Sequence, residues 1–123
     1  MYLIGAEHPN KERSNQIVDR LIDRGERLVT DAEVFQEILH RYSSIGRREF
    51  IKPAFDLLGK LVDEVYAVDL SIVDTARTVL GEHPSISARD AIHVASMKLH
   101  GVKQIFTFDA GFDQVREIRR INE

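Results

Sequence analysis

Within SARDAIHVASMKLHGVKQIFTFDAGFD, residues 87 to 113, one carboxylate, Asp90, stands at the start of an apolar helix pattern, and a second, Asp109, directly follows a short apolar run. A third acidic residue, Glu37, lies two helical turns past the earlier run ERLVT. Carboxylates that meet in one pocket repel each other unless a proton or a divalent cation fills the gap. Mg²⁺ or Mn²⁺ suits such an oxygen-only site, because both are hard cations that prefer carboxylate and water. A site of that kind supports phosphodiester hydrolysis, since the metal acidifies a bound water and steadies charge developing on the phosphate. Each residue also has a plainer reading. Asp90 could serve only the dipole of its helix, worth about 0.3 to 1 kcal/mol. Asp109 could be a turn residue before Gly111, and Glu37 a solvated helix residue. Spacing alone leaves both readings open.

Other chemistries find less support. The absence of cysteine removes disulfides, thiolate metal sites and cysteine nucleophiles. His93 and His100 are seven residues apart with no third ligand at metal spacing, while His8 and His83 each precede a proline. A nucleophile elbow, a P-loop and a G-x-G-x-x-G stretch are all lacking. A formal charge of -3 argues against a general polyanion binder, whose affinity rests on many cationic contacts. It still allows a nuclease with an acidic centre and a local basic rim. Arg47, Arg48, Arg89, Lys98, Lys103, Arg116, Arg119 and Arg120 are the available rim cations, although any one of them reads first as solvated surface.

The elements that must position these groups follow from hydrophobic periodicity. At 123 residues, with 43% hydrophobic and 30% charged content, the chain suits one globular domain with a sizeable core. No stretch approaches the roughly 18 apolar residues of a membrane span, and no targeting peptide is read at MYLIGAEHPNKERS. Residues 12 to 24 place Ile17, Val18, Leu21 and Ile22 on one helical face, stopped by Gly25. Residues 26 to 30 read as a strand, after which Asp31 caps a helix carrying Val34, Phe35, Ile38, Leu39 and Tyr42 up to Gly46. A further helix spans residues 47 to 63, with Pro53 tolerable only in its first turn. Residues 64 to 68 form a second strand and Ser71 opens a helix to Leu80. Ser87 caps the helix that Gly101 closes; KQIFTF is a third strand and REIRRI an edge strand. Strands alternating with helices imply a mainly parallel sheet covered on both faces. In such α/β sheets ligands gather at the carboxyl ends of the strands, where Glu37, Asp90 and Asp109 all fall.

The runs TDAEVFQEILHRY, SARDAIHVASMKLHGVKQIFTFD and AGFD together resemble the PIN-domain family, in particular the toxin ribonucleases of VapBC toxin-antitoxin pairs. The likeness covers nearly the whole chain in the same order. It implies a three-layer α/β/α sandwich that binds Mg²⁺ or Mn²⁺ through acidic residues and cleaves RNA. By position, Glu37, Asp90 and Asp109 match the family's catalytic and metal-binding acids, with Asp113 a supplementary ligand and Glu33 a weaker candidate one turn before Glu37. Thr107 matches a hydroxyl that orients the cluster. The resemblance further implies a cytoplasmic protein, a small VapB-like antitoxin whose carboxyl-terminal segment covers the acidic site, and a homodimer.

The front of the chain departs from the pattern. Family members begin with a central strand ending in Asp-x-Asn or Asp-x-Ser, followed by a helix that resembles MYLIGAEHP. The expectation is therefore an N-terminally incomplete single domain, residues 1 to 123, that opens inside this helix without the first strand and its aspartate. The rival reading is a PIN-like module that binds antitoxin or RNA without cutting. A phospho-receiver reading is weaker still, because Lys103 precedes a late strand instead of following one.

Overall fold

The computed structural model describes residues 1–4, 11–107 and 110–121, with the side chains of 11–15 and 110 excluded. The elements run β1 (Tyr2–Leu3), α1 (Lys11–Asp23), β2 (Val29–Asp31), α2 (Ala32–Ser44), a 3-10 turn (Arg48–Phe50) and α3 (Ile51–Leu61). They continue with β3 (Glu64–Tyr66), α4 (Leu70–Glu82), α5 (Ala88–His100), β4 (Gln104–Phe106), a second 3-10 turn (Ala110–Gln114) and β5 (Arg119–Ile121). The five strands form one parallel sheet in the order β3-β2-β1-β4-β5. This is the expected α/β architecture. The order also explains the layers, because β1 to β2 to β3 steps one way and β3 to β4 crosses back. Right-handed crossovers then put α1 to α3 on one face and α4 with α5 on the other.

The centre of the sheet corrects one expectation. Residues 2 and 3 are not helical: Tyr2 pairs with Val29 on one side and Ile105 on the other, and Leu3 pairs with Phe106. The Val29 N–H donates to the Met1 carbonyl at 2.9 Å and the Ile4 N–H to that of Phe106 at 3.4 Å. Tyr2, Leu3 and Ile4 are all buried. The physical reason is that a continuous apolar run suits a strand covered on both faces, and this slot satisfies backbone groups on both neighbours at once. Chain residues thus occupy the position between β2 and β4, although Ile4 and not an aspartate stands at the end of β1. Residues 5 to 10, which include the rest of the expected helix, lie outside the described residues.

Local signals set the other boundaries. Asp31 accepts from the Val34 N–H as N-cap of α2, Asp69 from Ile72 for α4, and Ser87 from Asp90 for α5. The α4 cap lies two residues before Ser71, so that helix begins earlier than the periodicity suggests. Gly101 closes α5 at φ 69, a left-handed position that glycine takes without steric cost. Pro53 falls in the first turn of α3, as its missing N–H requires. The core joins Tyr2, Ile17, Leu28, Val79, Val94, Met97, Ile105, Phe106 and Phe112. No helix among the described residues is long and apolar enough to cross a membrane.

Candidate functional site

The best-organised polar group in the structure is one that spacing did not single out. Asp31 closes β2 and is fully buried, as is His93 on α5, and the His93 Nδ1 lies 2.7 Å from an Asp31 carboxylate oxygen. The Tyr2 hydroxyl donates to that same oxygen, and the Val34 N–H donates to the other at 3.2 Å. A carboxylate only accepts, so the Nδ1 facing it carries the hydrogen. Burial by itself would raise the Asp31 carboxyl, but the His93 hydrogen bond and charge, the Tyr2 hydroxyl and the Val34 N–H outweigh it, and the net shift is downward. Burial, then the charge and hydrogen bond of Asp31, push the Tyr2 phenol far up, so it remains a donor. Among the described residues the buried Ser96 hydroxyl makes no hydrogen bond of normal geometry, though it sits near enough to Tyr2 to ease the phenol slightly downward. The rings of His100 and Tyr66 stack at 3.6 Å, so contacts at both His93 and His100 lay α5 across the strands that bear Tyr2, Asp31 and Tyr66.

This knot fixes two helix starts together. As N-cap, Asp31 sets the entry of α2, which carries Glu33 and Glu37; through His93 it holds α5, whose first turn carries Arg89 and Asp90. The consequence shows at the surface, where the Arg89 guanidinium, half exposed, forms an ion pair with Glu37 across 52 positions of sequence. Glu33 shares that neighbourhood. Partial burial raises its carboxyl, the charges of Asp31 and Glu37 add to the rise, and those of His93 and Arg89 oppose it. The structure therefore assembles Asp31, Glu33, Glu37, Arg89 and His93 at one junction, with Asp90 beside Arg89 in the first turn of α5.

A PIN domain family model matches residues 1–118. The chain belongs to the PIN-domain family. Within that family it falls with the VapC proteins. It is 47% identical over 121 residues to the VapC ribonuclease Mb1869c of Mycobacterium bovis and to Ribonuclease VapC13 of Mycobacterium tuberculosis, covering 98% of this chain and 92% of each relative. Its fold matches VapBC2 from Rickettsia felis, solved bound to a DNA fragment from their promoter, with a TM-score of 0.70, 13% identity, and 99% and 98% of the two chains covered.

In this PIN domain the expected acids have different surroundings. Glu37 is held by Arg89, and Asp90, partly buried, gives its N–H to the Ser87 hydroxyl at 3.1 Å. Asp113 sits in the second 3-10 turn, exposed, and receives two hydrogen bonds from Arg120 at 2.9 and 3.0 Å, which hold its carboxyl below the usual range. Thr107 is buried just past β4. Asp109 lies outside the described residues. The donor chemistry, carboxylates without thiolate, fits a hard divalent cation. Among the described residues, however, no group of three or more potential ligands converges. Glu37 and Asp113 instead face arginines.

Sequence reasoning saw Asp31 only as a cap, and His93 only as a histidine without a metal partner. One signal was available for each: an aspartate ending an apolar strand, and a histidine one turn past Asp90 on the apolar face of its helix. Neither reveals that the two meet.

Proposed function

We propose that this PIN domain is a metal-dependent endoribonuclease acting as the toxin of a toxin-antitoxin pair, with Glu37, Asp90 and Asp109 as the catalytic acids and Asp113 in support. The observation that carries the reading is the convergence of α2 and α5 at the Asp31–His93 contact, which brings the turn bearing Asp90 to the helix bearing Glu37. The likeness to proteins named VapC ribonuclease supports it. A bound Mg²⁺ or Mn²⁺ would acidify a water and neutralise charge on the phosphodiester. The chain's part is to hold its carboxylates in fixed directions and to offer rim cations, Arg89 among them, to the RNA backbone. The buried knot suits that task because it cannot turn without leaving polar groups unpaired.

A VapB-like antitoxin is the proposed protein partner, supported by the fold this chain shares with solved VapBC complexes. The α2–α3 region offers it a surface, because Leu39, Ile45, Phe50 and Leu57 remain exposed there. A homodimer and a cytoplasmic location complete the reading. The alternative, a non-catalytic module that binds antitoxin or RNA, draws on one observation: Glu37 and Asp113 are both engaged by arginines. RNA cleavage by the full chain decides between them. Cleavage that needs Mg²⁺ or Mn²⁺, stops with chelator and returns on adding metal is the expected result. RNA or antitoxin binding without metal-dependent cleavage would establish the alternative.

A further inference from the structure

The Arg89–Glu37 ion pair places a cation on a carboxylate that the proposed chemistry assigns to a metal. Glu37 has Glu33 one turn before it on α2 and Asp31 at the head of that helix, so without a counter-ion the junction carries an excess of negative charge. Arg89 supplies the counter-ion from α5, immediately before Asp90. Its guanidinium cannot lose its proton and its fork suits carboxylate and phosphate equally. Both side chains are partly exposed, 44% for Arg89 and 31% for Glu37, so water screens the pair and a divalent cation can compete for Glu37.

We infer that Arg89 is a built-in counter-ion of the acidic site: it holds Glu37 while the site lacks a divalent cation, gives Glu37 up when the cation binds, and then takes a phosphate of the RNA. This rests on the reading of Glu37 and Asp90 as metal ligands. Metal and RNA binding then favour each other through one side chain, since a cation that frees Arg89 also prepares the phosphate contact, and such coupling is reciprocal. Arg89 acts as a positioning residue toward the carboxylate and as a binding residue toward the substrate. No covalent step is involved.

Calorimetric titration of the full chain with Mn²⁺ alone tests the first half. R89Q removes the internal competitor, so Mn²⁺ binds about three- to tenfold more tightly, whereas R89K keeps the charge and stays within about twofold of wild type; R24Q, at an exposed arginine just past α1, leaves the affinity unchanged. Equal Mn²⁺ affinity in R89Q and wild type overturns this inference alone, and no Mn²⁺ binding by any of these proteins overturns the metal reading with it. The second half is tested with single-stranded RNA. In saturating Mn²⁺, R89Q raises KM more than it lowers kcat, while metal-free RNA binding, followed by fluorescence anisotropy, is the same in R89Q and wild type because Glu37 still holds the arginine. If R89Q weakens metal-free binding as much as it raises KM, Arg89 is a standing phosphate ligand and the exchange does not occur.

Discussion

The molecule contains two kinds of charged contact, a buried one at Tyr2, Asp31 and His93 and exposed ones at Arg89–Glu37 and Arg120–Asp113, and they do different work. In the buried knot every partner is out of water, so each hydrogen bond is strong and each loss leaves an orphaned group in the core. The exposed pairs keep access to solvent, and either partner can be replaced by water at small cost. The first kind fixes where helices begin; the second leaves carboxylates available for exchange. A site that must hold direction yet accept a cation needs both.

Breaking the knot is the harshest test of this contrast. Asp31→Ala or His93→Ala removes one member of a buried pair and is expected to destabilise the domain by about 3 to 5 kcal/mol in urea denaturation at pH 7. A loss no larger than that of a surface substitution would end the distinction. The effect also has a pH signature. The Asp31 carboxyl is lowered from its ordinary value of 3.8, so its stabilisation is fully present above that value and disappears as pH falls through the lower folded value. The gap between wild type and Asp31→Ala therefore begins to narrow only below about pH 3.8.

Asp90→Asn probes the other side. It is expected to cut metal-dependent RNA cleavage by about 100-fold or more, roughly 2.7 kcal/mol of barrier, while the denaturation midpoint barely moves. Retained cleavage would remove Asp90 from the catalytic set. Tyr2→Phe sharpens the comparison within the knot, because Asp31 keeps two of its three donors. A loss of about 1.5 to 3 kcal/mol is expected, as for a hydrogen bond to a charged group. Asp113→Asn is the mildest change: the pair with Arg120 is exposed on the aspartate side, and no shift in denaturation midpoint beyond measurement error is expected.

Much of the frame was legible from local signals. Ser87 and Gly101 bracketed α5, Gly25 and Gly46 ended their helices at positive φ, and the strand-helix alternation implied a parallel sheet. These features follow from interactions within a few residues, which periodicity and caps report directly. The carboxylates Glu37 and Asp90 were legible as candidates for the same reason, since their positions relative to strand ends are local facts. The arginine partner of Glu37 was not. Arg89 meets Glu37 from 52 residues away, and only the meeting of α2 and α5 in the folded chain brings them together.

The amino terminus shows the opposite limit. MYLI carries too little pattern to separate a buried strand from a helix, because four apolar residues satisfy either period. Pairing with β2 and β4 on both sides decided it, by satisfying backbone donors and acceptors that neither neighbour could satisfy alone. Asp31 teaches the same lesson for side chains. Its sequence context determined a cap, an interaction three residues long, whereas its burial against Tyr2 and His93 arose only when β1, β2 and α5 converged. Sequence alone determined the elements after β1 and the acids they carry, because those depend on short-range periodicity and capping. Tertiary structure alone decided which charges lie in the core and which face water, because burial depends on what the rest of the chain packs against them.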